Sequence, residues 1–401
     1  MKRENNRKTM EEKTKEKAEE KTELERELST LLASIRPADE AAKRQARARQ
    51  DSLAKPPKSL GKLEELSVQL AGVTGKLNNS VKKRRILIFC ADNGVVEEGV
   101  SSAPKSVTLA QTINFTRGKT GVAALAKEFG VDLTVIDMGI DGDVPEGCGV
   151  LNRKIRRGTW NLSKRPAMAR EEALRAMLTG AQCAKDAKAA GCDALGVGEM
   201  GIGNTTTSSA VLSALTGLSV EKTAGKGGGL EQAAFQKKKR VIAQALARWE
   251  PDRSDPIDVL SKVGGFDLAA MTGAFLGAAE SRIPAVIDGF ISAVAALCAV
   301  RLCPAVREYL VPSHASYEIG YGRAMEEIGL SPLLLLDMRL GEGSGCVLAF
   351  EVLRAACAAM NGMATFEEAQ IDDGYLAPIR ESESFRVEPD ERTANEGREA
   401  R

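Results

Sequence analysis

Five short apolar runs, each ending in a polar loop, recur along the chain: Arg85–Asp92, Val131–Asp137, Ala194–Val197, Ala285–Asp288 and Leu333–Asp337. Ala-rich stretches with helical patterning separate them, for example Thr120 to Phe129 and Met168 to Gly191. Strands without an alternating polar face must be buried on both sides, and strands separated by helices pair in parallel. The pattern therefore predicts an α/β fold, a doubly wound and mostly parallel sheet with helices on both faces. In such a sheet the ligand site lies outside the carboxyl ends of the strands. The polar loops at 92–102, 137–145, 198–206 and 337–345 fall on that edge.

A smaller helical part is expected beside this body. Leu24, Leu28, Leu31, Leu32 and Ile35 recur at helical spacing, Pro37 interrupts them, and a second helix runs to about Leu53. The stiff connector Lys55–Gly61 precedes a third, carrying Leu63, Leu66 and Leu70. The predicted organisation is a disordered charged extension over 1–22, an N-terminal helical element over 23–84 and an α/β catalytic domain over 85–345. C-terminal helices over 346–380 pack with the N-terminal element, and 381–401 form a polar tail. Residues 141–166, with the basic stretch Arg153–Arg157, read as an excursion near the active site.

Composition narrows the function. Lys and Arg number 56 against 55 Asp and Glu, which leaves no global field to gather nucleic acid or membrane. The longest hydrophobic region, 266–300, is broken by Asp267, Glu280, Arg282 and Asp288, which argues against a membrane span. The charged N-terminus has no apolar signal core, and the eight scattered cysteines read as reduced thiols, so a cytoplasmic protein is expected. One histidine, His314, weakens any histidine-rich metal site.

The segment Gly198-Glu199-Met200-Gly201-Ile202-Gly203-Asn204-Thr205-Thr206 follows a predicted strand and opens a helix. A glycine turn there frees backbone N–H groups and aims the helix's positive end at an anion, so Gly201, Ile202, Gly203, Asn204 and Thr205 are candidate phosphate and ribose ligands. It lacks the Gly-Lys-Ser/Thr ending of a Walker loop, and Glu199 is better placed beside the ribose than against phosphate. Lys226 and Gly227, in the turn Gly225–Leu230, supply a candidate phosphate cation and a close backbone approach. An exposed surface lysine is the plainer reading. Glu342, between Gly341 and Gly343, is either a desolvated proton acceptor or a turn carboxylate held by N–H groups. Asp92 suits an Asx turn, His314 either touches substrate or is a hydrogen-bonded structural residue, and the glycines of Val263–Asp267 are explained by packing.

Taken in order, Pro57–Glu64, Ala91–Val95, Gly198–Thr206, Val263–Ala270 and Met338–Gly345 resemble the nicotinate-nucleotide dimethylbenzimidazole phosphoribosyltransferase family. The resemblance implies transfer of phosphoribosyl from nicotinate mononucleotide to 5,6-dimethylbenzimidazole, giving α-ribazole 5′-phosphate and nicotinate in cobalamin nucleotide-loop assembly. It implies Glu342 as general base, Glu199 near the ribose, and Gln111, Met338, Arg339 and Leu340 around the acceptor base, with Asp92, Asn93 and His314 behind them. It implies a homodimer with no cofactor and no metal. Asn93 and Tyr321 stand where many relatives carry histidine, which bears on base selection. The alternatives are a related transferase preferring another azole or purine base, and a noncatalytic nucleotide-binding regulator.

Overall fold

The computed structural model describes residues 22–380. The expectations for 1–21 and 381–401 lie outside the described residues. Six parallel strands form one sheet: β1 (Arg84–Ala91), β2 (Asp132–Gly139), β3 (Leu151–Asn152), β4 (Ala194–Met200), β5 (Ala285–Ile287) and β6 (Leu310–Pro312). Their spatial order is β3-β2-β1-β4-β5-β6. The chain winds outward from β1 through β2 to β3, then returns to lay β4 against the other side of β1. That reversal opens a crevice at the carboxyl ends of β1 and β4, where ligands bind in open α/β sheets.

Alternation along β1 divides the core. Leu87, Phe89 and Ala91 face one layer, together with helices Arg170–Ala189, Phe266–Glu280 and Phe290–Leu302. Ile86, Ile88 and Cys90 face the other, together with helices Gly121–Phe129 and Ser344–Gly362. All six β1 residues are 0–1% exposed, so neither face of the strand meets water. Ser344–Gly362 is long and apolar enough to cross a bilayer, but its Cys346, Val347, Phe350 and Leu353 are fully buried in this layer.

Helices Arg170–Ala189 and Phe266–Glu280 meet backbone to backbone. A Cβ on Gly180 would lie 1.8 Å from the Ala270 carbonyl oxygen, and one on Gly273 would lie 1.8 Å from that of Met177. Only hydrogen fits at these two points, so the glycines set the spacing of that layer.

The N-terminal helices form as their periodicity predicts: 22–34, then Glu40–Ser52 with Asp39 accepting from the Ala42 N–H as its N-cap, then Lys62–Thr74. Segments from the early and late parts of the described residues meet here. Leu53 bridges Thr365, Arg49 donates to the Met363 carbonyl, and Met360 packs with Ala42, Ala46 and Ala71.

The sheet departs from expectation at its edge. The run Leu333–Leu336 is no strand; only Leu334 bridges, to His314, while Leu335 and Leu336 are exposed. Pro332 precedes the run and Asp337 takes a left-handed φ of 51°, so the segment cannot extend a ladder. The sheet's true last strand is the shorter β6. The 141–166 excursion contributes β3 and then braces the loop after β1, where Thr159 donates its N–H to the Asp92 carbonyl.

Candidate active site

A cavity of about 260 Å³ opens at the carboxyl edge of the sheet. It lies just below the roughly 300–1,000 Å³ typical of small-molecule sites. Its wall comes from the segments after β1 (Ser101–Ala103, Gln111), from the end of β4 and the turn beyond it (Glu199–Thr205), after β5 (Asp288–Ser292) and after β6 (His314, Ser316, Glu318), with Arg339–Glu342 closing one side.

The two glycine loops singled out in the sequence touch each other. A Cβ on Gly198 would lie 2.7 Å from the Glu342 carbonyl oxygen, and one on Gly341 would lie 2.5 Å from Glu199 Oε1. Side chains at those positions would hold the loops apart. With them absent, the Glu342 N–H donates to Glu199 Oε1 at 3.3 Å.

Glu199 is the last side chain but one of β4 and is 7% exposed. Its other oxygen, Oε2, accepts from Asn204 Nδ2. Burial, reinforced by the charge of Asp267, pushes its carboxyl up to about 8, so at neutrality it keeps its proton and does not repel an incoming anion.

This shift has a stability consequence. The unfolded chain releases that proton near the ordinary glutamate value and the folded protein only near 8, so the folded state binds more protons in between and loses stability as pH rises through the interval. Between about pH 5 and 8, wild-type Tm is expected to fall more steeply than that of Glu199→Gln, which cannot ionise. Parallel slopes in a thermal-shift series would contradict the assignment.

Glu342 is 6% exposed and holds a left-handed φ of 64° between two glycines. Its Oε2 accepts from the Val122 N–H at 3.3 Å, at the positive end of helix Gly121–Phe129. Oε1 accepts from Gln111 Nε2, also at 3.3 Å, and Gln111 Oε1 in turn accepts from Asn114 Nδ2 at 3.1 Å. Burial raises the Glu342 carboxyl above its usual range, opposed by those donors. The result is a fixed, poorly hydrated carboxyl lining the cavity, an arrangement suited to accepting a proton.

On the opposite side Gly203, with φ 92°, starts helix Asn204–Thr216. The turn Gly225–Leu230 lies over this terminus: a Cβ on Gly227 would meet Thr205 Oγ1 at 2.9 Å. Lys226 itself is exposed and absent from the cavity wall, which includes Gly227 and Gly228. The buried cation is Lys238, which sequence reasoning missed within the run Lys237–Arg240. Fully enclosed, its Nζ donates to Thr205 Oγ1 at 2.9 Å and to the Gly225 carbonyl at 3.0 Å, tying turn to helix. Burial lowers it to about 8.

Other predicted residues are distributed around this centre. Gln111, Arg339, Leu340 and His314 line the cavity, while Met338, half-buried, does not and offers its carbonyl to the Tyr317 N–H at 3.1 Å. His314 is 1% exposed, with Nδ1 3.0 Å from Ser313 Oγ, and burial lowers its pKa, favouring the neutral ring. Asp92 and Asn93 are buried off the wall, Asn93 behind Gly201; Asp92 forms no Asx turn, because its Oδ2 accepts the Asp141 N–H from another loop while the Gly94 N–H donates to Thr159 Oγ1. Tyr321 is also buried off the wall. Asp267 and Asp288, raised by burial to about 6 and about 7, complete the buried acidic cluster. Among the described residues no three His, Cys, Asp or Glu side chains are grouped to hold a metal ion.

A family model described as "Phosphoribosyltransferase" matches residues 35–371. A nicotinate-nucleotide–dimethylbenzimidazole phosphoribosyltransferase of Clostridium perfringens is 55% identical over 344 residues, covering 86% of this chain and 95% of the relative. One from Geobacter metallireducens is 47% identical over 343 residues, covering 86% and 97%. The crystal structure of the phosphoribosyltransferase of the same name from Thermus thermophilus superposes with a TM-score of 0.79 at 41% identity, over 84% of this chain and 100% of that one.

Proposed function

Because the chain belongs to the nicotinate-nucleotide–dimethylbenzimidazole phosphoribosyltransferase family, we infer that it transfers the phosphoribosyl group of nicotinate mononucleotide to 5,6-dimethylbenzimidazole in cobalamin nucleotide-loop assembly. The products are α-ribazole 5′-phosphate and nicotinate. The observation that carries the chemical reading is the pair of touching glycine loops, which sets a proton-bearing Glu199 and a proton-accepting Glu342 on one wall of a single cavity.

In this reading the donor's phosphate sits at the start of helix Asn204–Thr216, against Gly201, Ile202, Gly203, Asn204 and Thr205, with the Gly227 turn above and Lys238 stiffening both from behind. Glu199, neutral and fixed by Asn204, faces the ribose. The acceptor base lies between Gln111 and the Met338–Leu340 segment. One azole nitrogen attacks C1′ while the bond from C1′ to the pyridinium nitrogen breaks, its electron pair neutralising the departing nicotinate ring. The proton on the other azole nitrogen passes to Glu342. Attack opposite the leaving group inverts C1′ and converts the β donor into an α product. Holding both substrates in one cavity supplies the proximity term and Glu342 the proton transfer.

The same reading makes the enzyme a homodimer, for which exposed Tyr317, Ile319 and Leu335 offer an apolar surface. Its eight unpaired cysteines suit the reducing cytoplasm. The division into a catalytic body and a helical part built from both chain ends remains the organisational proposal, supported by the contacts of Leu53, Arg49 and Met360. The direct test supplies nicotinate mononucleotide with dimethylbenzimidazole, benzimidazole or adenine and follows nicotinate release and product mass. Dimethylbenzimidazole-dependent nicotinate release with a product of α-ribazole phosphate mass is expected. Donor binding without base-dependent release would replace the transferase reading with a regulatory one.

A further inference from the structure

Asp288 follows β5 and is 2% exposed. Its Oδ2 accepts the Gly343 N–H at 2.9 Å and its Oδ1 the Gly345 N–H at 2.7 Å. These donors flank the catalytic loop at the first turn of helix Ser344–Gly362, so a carboxylate from another segment caps that helix. Immediately before the cap, Gly341, Glu342 and Gly343 take φ of 82°, 64° and 86°. The middle residue is the costly one, because the Cβ of an L side chain is crowded in the left-handed region where glycine is not. Strain of that kind persists only where surrounding contacts over-determine it.

Asp288 is itself anchored. Its N–H donates to Ser292 Oγ at 3.2 Å, and Ser292 Oγ donates to the Val197 carbonyl in β4 at 3.0 Å. Its carbonyl accepts from Ser313 Oγ at 3.0 Å. Contacts to β4 and to the residue after β6 thus fix the Asp288 backbone at the end of β5, and its carboxylate in turn fixes the backbone on which Glu342 stands. From this backbone position Glu342 reaches Val122 and Gln111.

We propose that Asp288 is the positioning residue of the general base: by accepting both the Gly343 and Gly345 N–H groups it holds Glu342 in its left-handed conformation and aims its carboxyl at the acceptor. The proposal rests on the transferase reading for its kinetic consequence, and on geometry alone for its structural one.

Asp288→Asn and Asp288→Ser remove one or both acceptor contacts without adding bulk. In either variant kcat is expected to fall by about 10- to 100-fold, in line with a small misplacement of a reacting group, while KM for nicotinate mononucleotide stays within about threefold. In a Glu342→Gln background the same change should cost less than about twofold, because the base it positions is already gone. Peptide-level hydrogen exchange over residues 338–346 should quicken about tenfold or more, with exchange at 204–210 unchanged, and this readout needs no turnover. Equal losses of kcat in both backgrounds, a rise in KM with kcat intact, or unchanged exchange over 338–346 would each overturn the proposal. Should Asp288→Asn not fold, Asp288→Ser carries the same three measurements. Wild-type protein that makes no α-ribazole phosphate would instead sink the transferase reading, leaving the exchange result to decide the structural role.

Discussion

Glu342→Gln is expected to lower kcat by about 10³-fold while changing KM for nicotinate mononucleotide by less than about threefold. The amide keeps the shape of the side chain and can still accept from the Val122 N–H through its oxygen. What it loses is the capacity to take a proton. In the proposed reading the donor's phosphate and ribose lie against Glu199–Thr205, which Glu342 meets through its backbone N–H and not its carboxyl, so donor binding is expected to survive the substitution. Steady-state kinetics with nicotinate release as the readout separates the two effects. Near-normal kcat in the variant would remove Glu342 from the proton-transfer step. The wild type carries a companion signature. Only ionised Glu342 accepts the proton, and burial raises its pKa, so activity should climb with pH through a limb above the ordinary glutamate range.

The second large effect is structural. Gly273→Leu places a Cβ 1.8 Å from the Met177 carbonyl oxygen, and the obstacle is backbone within a helix, which cannot rotate aside. The two most extensively packed helices must separate, opening a layer whose residues are fully buried. A loss of about 4 kcal/mol or more is expected, beyond the usual range for a single substitution, and is read as insoluble protein or a Tm lower by several degrees. Gly322→Ala is the matched control. Its Cβ meets no heavy atom within 4 Å and it lies inside helix Ile319–Ile328, so it should hold Tm level or raise it slightly. A tolerated Gly273→Leu would mean that these helices do not meet as described.

The fold was legible where apolar patterning coincides with burial. Leu87 and Phe89 against Ile86 and Ile88 form a two-faced strand, and a run apolar on both parities is what the sequence displays. The same signal misleads at Leu333–Leu336, because four leucines satisfy a strand template whether or not a neighbour exists to receive them. Leu335 is 84% exposed, and the local backbone turns away after it. Strands β3 and β6 span two and three residues, too short for periodicity to register.

The site divides similarly. Glu199 and Glu342 stand out because glycines surround them, and the structure shows why: Gly198 and Gly341 remove side chains that would collide with the other loop. Lys238 was hidden by its neighbours, since in Lys237-Lys238-Lys239-Arg240 nothing but helical phase distinguishes the enclosed lysine from the solvated ones. Asp288 read as the polar end of an apolar run, and its two N–H donors lie more than fifty positions along the chain, at Gly343 and Gly345. Asp267 sat in a turn whose glycines were sufficiently explained by packing. Contacts made across the sheet leave no local trace.

The meeting of early and late segments also sets a timetable for biogenesis. Leu53, Arg49 and the Ala42–Ala46 face are made early by the ribosome, whereas their partners Thr365, Met363 and Met360 are among the last described residues to appear. The central pairing of β1 with β4 likewise waits for residue 200. A nascent chain therefore carries an uncovered apolar helix face until Met360 has been made, a state that invites chaperone binding, and this layer closes only after the sheet's strands are complete.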